Sequence, residues 1–120
     1  MILTVTGGST DQLRDLRRWL GEEPELRGRV VSLSRRPEEH ELGTLTEALQ
    51  ITLGSGGVVA TVAAVVIAWL RTRPAEITVR ISRGDDEIEV TAKGVKSLNV
   101  HELGQAASEV ARTFADPHDG

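Results

Sequence analysis

The chain has 120 residues, with 18 acidic and 14 basic side chains and a formal net charge of −4, enough for one domain and one core that buries roughly two thirds of the unfolded surface. The acidic balance argues against a dedicated nucleic-acid binder, which presents a basic face, and Trp19, Trp69 and Phe114 are too few aromatics for base stacking. The absence of cysteine excludes disulfides, thiolate metal sites and thiol redox chemistry.

Residues 1–6, "MILTVT", are aliphatic and β-branched and predict a strand that ends at Gly7-Gly8. The stretch has no basic leader and reaches its glycines too early for a signal peptide, so a cytoplasmic location is expected. Ser9 and Gln12 fit a capping box opening a helix. Leu13, Leu16 and Leu20 then recur at helical spacing beside Trp19, with Arg14, Asp15, Arg17 and Arg18 expected to face outward, and the helix ends near Gly21. Pro24 breaks the chain, "RVVSLS" (29–34) predicts a second strand, and "RRPEEHELG" reads as a polar loop.

Leu42, Leu45 and Leu49 share a helical face, which predicts a helix starting near Thr44. Glycine costs about 1 kcal/mol inside a helix relative to alanine, so "LGSGG" predicts a break, with Ser55 capping a new helix that runs to about Arg73 before Pro74. "EITVRIS" alternates, with Ile77, Val79 and Ile81 on one face. "EIEVTAK" repeats the pattern with Ile88, Val90 and Ala92, and "RGDD" joins them as a hairpin turn. Leu103, Ala107, Val110 and Phe114 mark a last amphipathic helix.

The resulting order is βαβαββα, an α/β (α+β) single domain over 1–115 with a flexible tail at 116–120. Helices between strands imply right-handed crossovers and parallel pairing in the first half, and the tight turn implies an antiparallel hairpin in the second. A mixed four-stranded sheet with helices packed on it is expected. The thioredoxin fold shares this order, without its cysteines here.

The chain is uncharged from Ile51 to Leu70 and then meets Arg71 and Arg73. A membrane span would use Trp69 and the arginines as interfacial flanks. The glycine break leaves roughly 15 apolar residues, about 22 Å of helix against a 30 Å hydrocarbon core, and a span would split the sheet into halves too small to fold. A buried helix of a folded domain is therefore the preferred reading, with membrane insertion of 51–70 as the alternative.

Gly56, Ala60, Ala64 and Ala68 stand at every fourth position, a stripe that lets another backbone approach closely. Together with Gly54, Gly57 and Trp69 they form the candidate surface for helix packing or self-association. Arg14, Arg17, Arg18, Arg27, Arg29, Arg35 and Arg36 crowd the first third and leave an anionic partner there open, although the interleaved Glu22, Glu23, Glu25, Glu38, Glu39 and Glu41 offset much of the field; Arg14, Arg17, Arg18, Arg71 and Arg73 form the candidate partner surface. "TGGST" and "GSGG" lack the lysine of a phosphate-binding loop and read as turns and caps. His40, His101 and His118 lack metal-ligand spacing, and no serine sits in a nucleophile-elbow context, so no metal, cofactor or catalytic residue is assigned. Arg83-Gly84-Asp85 spells an adhesion tripeptide but is read as turn chemistry.

"DLRRWLGEEPELRGRV", "GTLTEALQITLGSGG" and "AWLRTRPAEITVRI", in that order, resemble the effector-associated constant component family, first type, found in actinobacteria and other multicellular bacteria. The matching positions are Leu16, Trp19 and Leu20, then Gly54, Ser55, Gly56 and Gly57, then Trp69, Leu70 and Arg71. The resemblance implies a non-enzymatic component of a bacterial conflict (defence) system, encoded beside variable effectors such as caspase-like or trypsin-like peptidases, and it carries over no catalytic residue. An adaptor or scaffold that couples to an effector, and self-associates through the central helix, is the function expected from it.

Overall fold

The computed structural model describes residues 1–7, 11–35, 46–53 and 56–114. The strands are β1 (Ile2–Thr6), β2 (Val30–Arg35), β3 (Thr46–Ile51), β4 (Thr78–Arg83) and β5 (Asp86–Thr91). The helices are α1 (Asp11–Gly21), α2 (Gly56–Arg71), α3 (Ala92–Lys96) and α4 (Val100–Thr113), with a 3-10 turn at Pro24–Leu26. The five strands form one sheet in the order β2-β3-β1-β4-β5, with every neighbouring pair antiparallel.

This corrects the expected mixed, four-stranded sheet. The segment read as a helix near Thr44 is strand β3, which pairs with β2 from Val30↔Ile51 to Arg35↔Thr46. Leu42 and Leu45 lie outside the described residues; Leu49 and Ile51, two apart, are both buried, which is strand periodicity. Strand β3 lies between β2 and β1, so no parallel pair forms: β1 and β2 run in the same direction, but with β3 between them. Likewise β3 and β4 flank β1. These two interleaved βαβ units make the ferredoxin-like arrangement, extended here by β5, α3 and α4.

Leu3, Leu49, Val79 and Ile81 project from one face of the sheet into a single core, together with Leu13, Leu16 and Leu20 of α1 and most of α2. The opposite face carries exposed Gln50, Arg80 and Glu89 and half-buried Thr4. Arg80 bridges to Glu87 and Glu89, and those two carboxylates hold its guanidinium pKa above the ordinary arginine value. The β4–β5 hairpin closes with two loop residues, of which Gly84 alone has positive φ, +60°, the type II′ pattern. Strand β5 stops one residue before Ala92, because Thr91 accepts a hydrogen bond from Gly94 N–H and caps α3. A capping box between Asn99 and Glu102 opens α4, and Arg83 donates to the Phe114 carbonyl at its far end, where a cation also complements the helix dipole.

The expectation that Asp15 faces solvent fails. Trp69 is fully buried, so its indole N–H needs an acceptor, and it donates to Asp15 Oδ2 at 2.8 Å. Arg73 Nη1 lies 3.2 Å from the same oxygen, and its guanidinium sits 5.4 Å from the Trp69 ring centroid. Arg18 bonds the other carboxylate oxygen. This cluster ties α1 to the end of α2, and the Trp69 hydrogen bond first, then the two arginines, holds the Asp15 carboxyl below its ordinary pKa against the opposing effect of burial.

Asp15→Ala leaves the buried indole N–H without its acceptor and should cost about 1–3 kcal/mol in urea-unfolding stability. Because the folded Asp15 pKa is depressed, the unfolded state binds more protons, and stability falls as pH drops from about 4 through the folded value; Asp15→Asn should flatten that acid limb of the stability–pH profile, and an unchanged limb would refute the assignment. Gly7 has φ +90°, and a Cβ there would lie 2.0 Å from the Glu76 carbonyl oxygen, so Gly7→Ala should destabilise by more than about 1 kcal/mol in the same measurement.

Candidate functional site

The candidate surfaces separate onto two sides of α1. On one side α2 runs across the core for 16 residues. It is flanked by α1 and the Pro24–Leu26 turn on one side and by α3 and α4 on the other. Thr61 Oγ1 donates to Glu25 Oε2 at 2.6 Å and pins the turn to the helix. With these contacts satisfied, Gly57, Ala60, Ala64 and Ala68 remain exposed along the outer ridge. The small-residue positions therefore face away from the core. Gly56 opens α2, whereas Gly54 and Ser55 lie outside the described residues. Trp69 serves helix packing, since no part of it reaches the surface.

On the other side of α1 lies a cleft of about 680 Å³ between that helix and strand β2, within the size range of ligand sites. Its floor is Leu13, Leu26, Val30 and Leu49; its rim carries Arg14, Arg17, Arg18 and Arg27. The cleft exists because of register. Ser32 lies opposite the buried Leu49, so its side chain points to the helical side of the sheet, yet Ser32 is exposed. The small serine side chain leaves the space beside it open.

The sequence-predicted partner surface is thus divided. Arg14, Arg17 and Arg18 come together on the cleft and are joined by Arg27, a member of the basic first third outside the five-residue candidate surface. Arg73 is half-buried on Trp69 and Asp15, and Arg71 is exposed at the end of α2, away from the cleft. Arg14 approaches Asp11 only at 4.0 Å with both side chains largely exposed, and Arg18 is shared with Asp15. Among the described residues, Arg17 and Arg27 form no ion pair.

His101 is exposed on α4 beside Gln105 and Ser108, and His40 and His118 lie outside the described residues. Among the described residues no three His, Asp or Glu side chains converge as a metal cluster, and no helix is long and apolar enough to cross a membrane. Arg83 of the adhesion-like tripeptide is half-buried and engaged with Phe114. Ser9 and the rest of "GST" lie outside the described residues, and Gly7 is spent on the close approach to Glu76.

Neither a curated protein nor a solved structure matches the chain. A family model does, over residues 5–111, which takes in the end of β1, the arginine-bearing α1, the α2 ridge and nearly all of α4. The protein belongs to the family described as Effector Associated Constant Component 1, an effector-associated component of conflict systems.

Proposed function

We propose that this chain is a non-enzymatic docking component that acts in the bacterial cytoplasm and couples a variable effector, such as a caspase-like or trypsin-like peptidase, to the rest of its conflict system. The observation that carries the reading is the family match across nearly the whole chain. The chemistry of the cleft supports docking: among the described residues its lining sets arginines over aliphatic side chains beside Ser32, a combination suited to holding an anionic, partly apolar segment. The ridge of α2 supplies a second open surface, narrow enough in side chain for a second backbone to approach.

Co-expression with the effector encoded beside it, followed by size-exclusion chromatography with light scattering, tests the reading. A complex of defined mass is expected, and complete separation at micromolar concentrations would refute effector coupling. Self-association is read from the same instrument with the protein alone across a concentration series. Because Ala64 is exposed, Ala64→Leu should change monomer melting by no more than about 0.5 kcal/mol while dissociating any oligomer built on the ridge. Persistence of the oligomer in that variant would move the self-association surface elsewhere.

A further inference from the structure

The cleft has a third wall besides α1 and the core: the open edge of strand β2. This strand ends the sheet, and the pairing pattern fixes which of its backbone groups are used. Thr52 N–H donates to the Arg29 carbonyl at 2.9 Å, while Ile51 N–H donates across to Met1. In an antiparallel ladder the bonded residues alternate, so Arg29, Val31 and Leu33 face β3, and Val30 and Ser32 turn their N–H and C=O groups to the free edge. Val30 and Ser32 are also the residues whose side chains line the cleft. Among the described residues, the backbone groups of Val30 and Ser32 on that edge have no strand partner, and they lie directly beside a groove with an apolar floor and a rim of four arginines.

We propose that this groove binds an extended acidic segment of the effector by adding it as a strand to β2. The proposal rests on the effector-coupling reading and names the chemistry of its partner. Backbone hydrogen bonds to Val30 and Ser32 supply affinity that is independent of sequence, and alternate side chains of the added strand enter the groove. One aliphatic side chain covers the Leu26 and Leu49 floor. Carboxylates on either side of it meet Arg17 and Arg27, the two rim cations without an ion pair among the described residues. Charge complementarity selects an acidic segment: among the described residues the lining has four arginines and no carboxylate, and a basic segment would bury like charge against like. The exposed side chains of Val31 and Leu33, 50% and 37% accessible on the outer face, lie on the other side of the strand and take no part.

The test uses the full chain, ¹⁵N-labelled, titrated with a short threonine-rich peptide carrying aspartate, valine and glutamate at alternate positions, and with its analogue in which lysine replaces both acids. Expected are amide shifts confined to Arg29–Leu33, Arg14–Arg18 and Leu26–Gly28, and binding of the acidic peptide at least about tenfold tighter than the analogue. The double variant R17E/R27E should weaken the acidic peptide by about tenfold or more. Ser32→Pro removes one edge N–H, a change tolerated on edge strands, and should abolish binding. Should that variant unfold, Ser32→Leu fills the groove from within and should abolish binding with melting retained. Equal binding of both peptides, binding of neither, shifts located elsewhere, or unchanged affinity in R17E/R27E would each overturn the proposal. So would a single-stranded oligonucleotide that shifts the same amides at lower concentration than the peptide. Effector co-elution separates the two levels: an effector still retained by R17E/R27E refutes the groove and leaves the coupling intact, whereas peptide binding without any effector complex refutes the coupling and leaves the groove.

Discussion

Helix α2 is apolar around most of its circumference, and a helix of that kind must be covered on nearly every side. The sheet lies beneath it, α1 and the Pro24–Leu26 turn close one flank, and α3 and α4 close the other. Val58, Val59, Val62, Val65, Val66 and Ile67 are all buried by this arrangement, and each contributes roughly 1.5–3 kcal/mol of burial free energy. The demand sets the rest of the architecture. A four-stranded ferredoxin-like unit places two helices on one face of its sheet, and α4 adds the missing cover on the side that those two leave open. The β4–β5 hairpin then widens the sheet, and α3 packs against both β5 and α2.

Burying Trp69 brings a polar obligation with it. An indole N–H inside the core must be satisfied, and the acceptor comes from Asp15 on the helix next door. The carboxylate is then too deep to stand alone, and Arg73 and Arg18 close around it. This sequence of requirements also decides which arginines are available. Arg73 is consumed by packing over the indole, and Arg18 is partly engaged, while Arg14, Arg17 and Arg27 extend over a space that no described side chain fills. Structural and exposed arginines that are alike in sequence are sorted by the position of a single tryptophan.

The sequence carried more of the elements than of their connection. Helix α1 was legible from Leu13, Leu16 and Leu20, the β4–β5 hairpin from strict alternation around Gly84, and the position of α2 from its glycine break and Pro74. Strand β3 was not, because Leu42, Leu45 and Leu49 mimic a helical face while the true pattern, Leu49 and Ile51, spans only one alternation. Losing that strand changes the topology as a whole, since β3 is the element that sits between β1 and β2 and turns an apparent parallel crossover into an antiparallel sheet. Asp15 was misplaced for a related reason: charged residues on an amphipathic helix are assigned outward by default, and only the partner's buried indole reverses that. For the cleft, the arginines of α1 were visible, but Arg27 joins them through the Pro24–Leu26 turn and Ser32 through strand register, and no local pattern reports either placement. A signal did exist in Ser32, a polar residue at an inward position of "RVVSLS", once the pairing with Leu49 is known.

The ferredoxin-like arrangement hosts many unrelated functions, so the fold alone does not assign one. What distinguishes this chain is that α1 divides its two open surfaces. The face of α1 that carries Asp15 and Trp19 is turned toward α2, and the face that carries Arg14, Arg17 and Arg18 is turned toward the cleft. An occupant of the cleft therefore lies across a helix from the Ala60–Ala64–Ala68 ridge and leaves it uncovered. The docking role proposed for this chain would need two surfaces that do not compete, and a small domain obtains them at little cost when one helix serves as the wall of both. The proposed strand addition would suit variable partners for a further reason: most of its affinity would come from backbone groups that every protein segment possesses, leaving the partner's sequence free to change provided that its charge at the arginine rim does not.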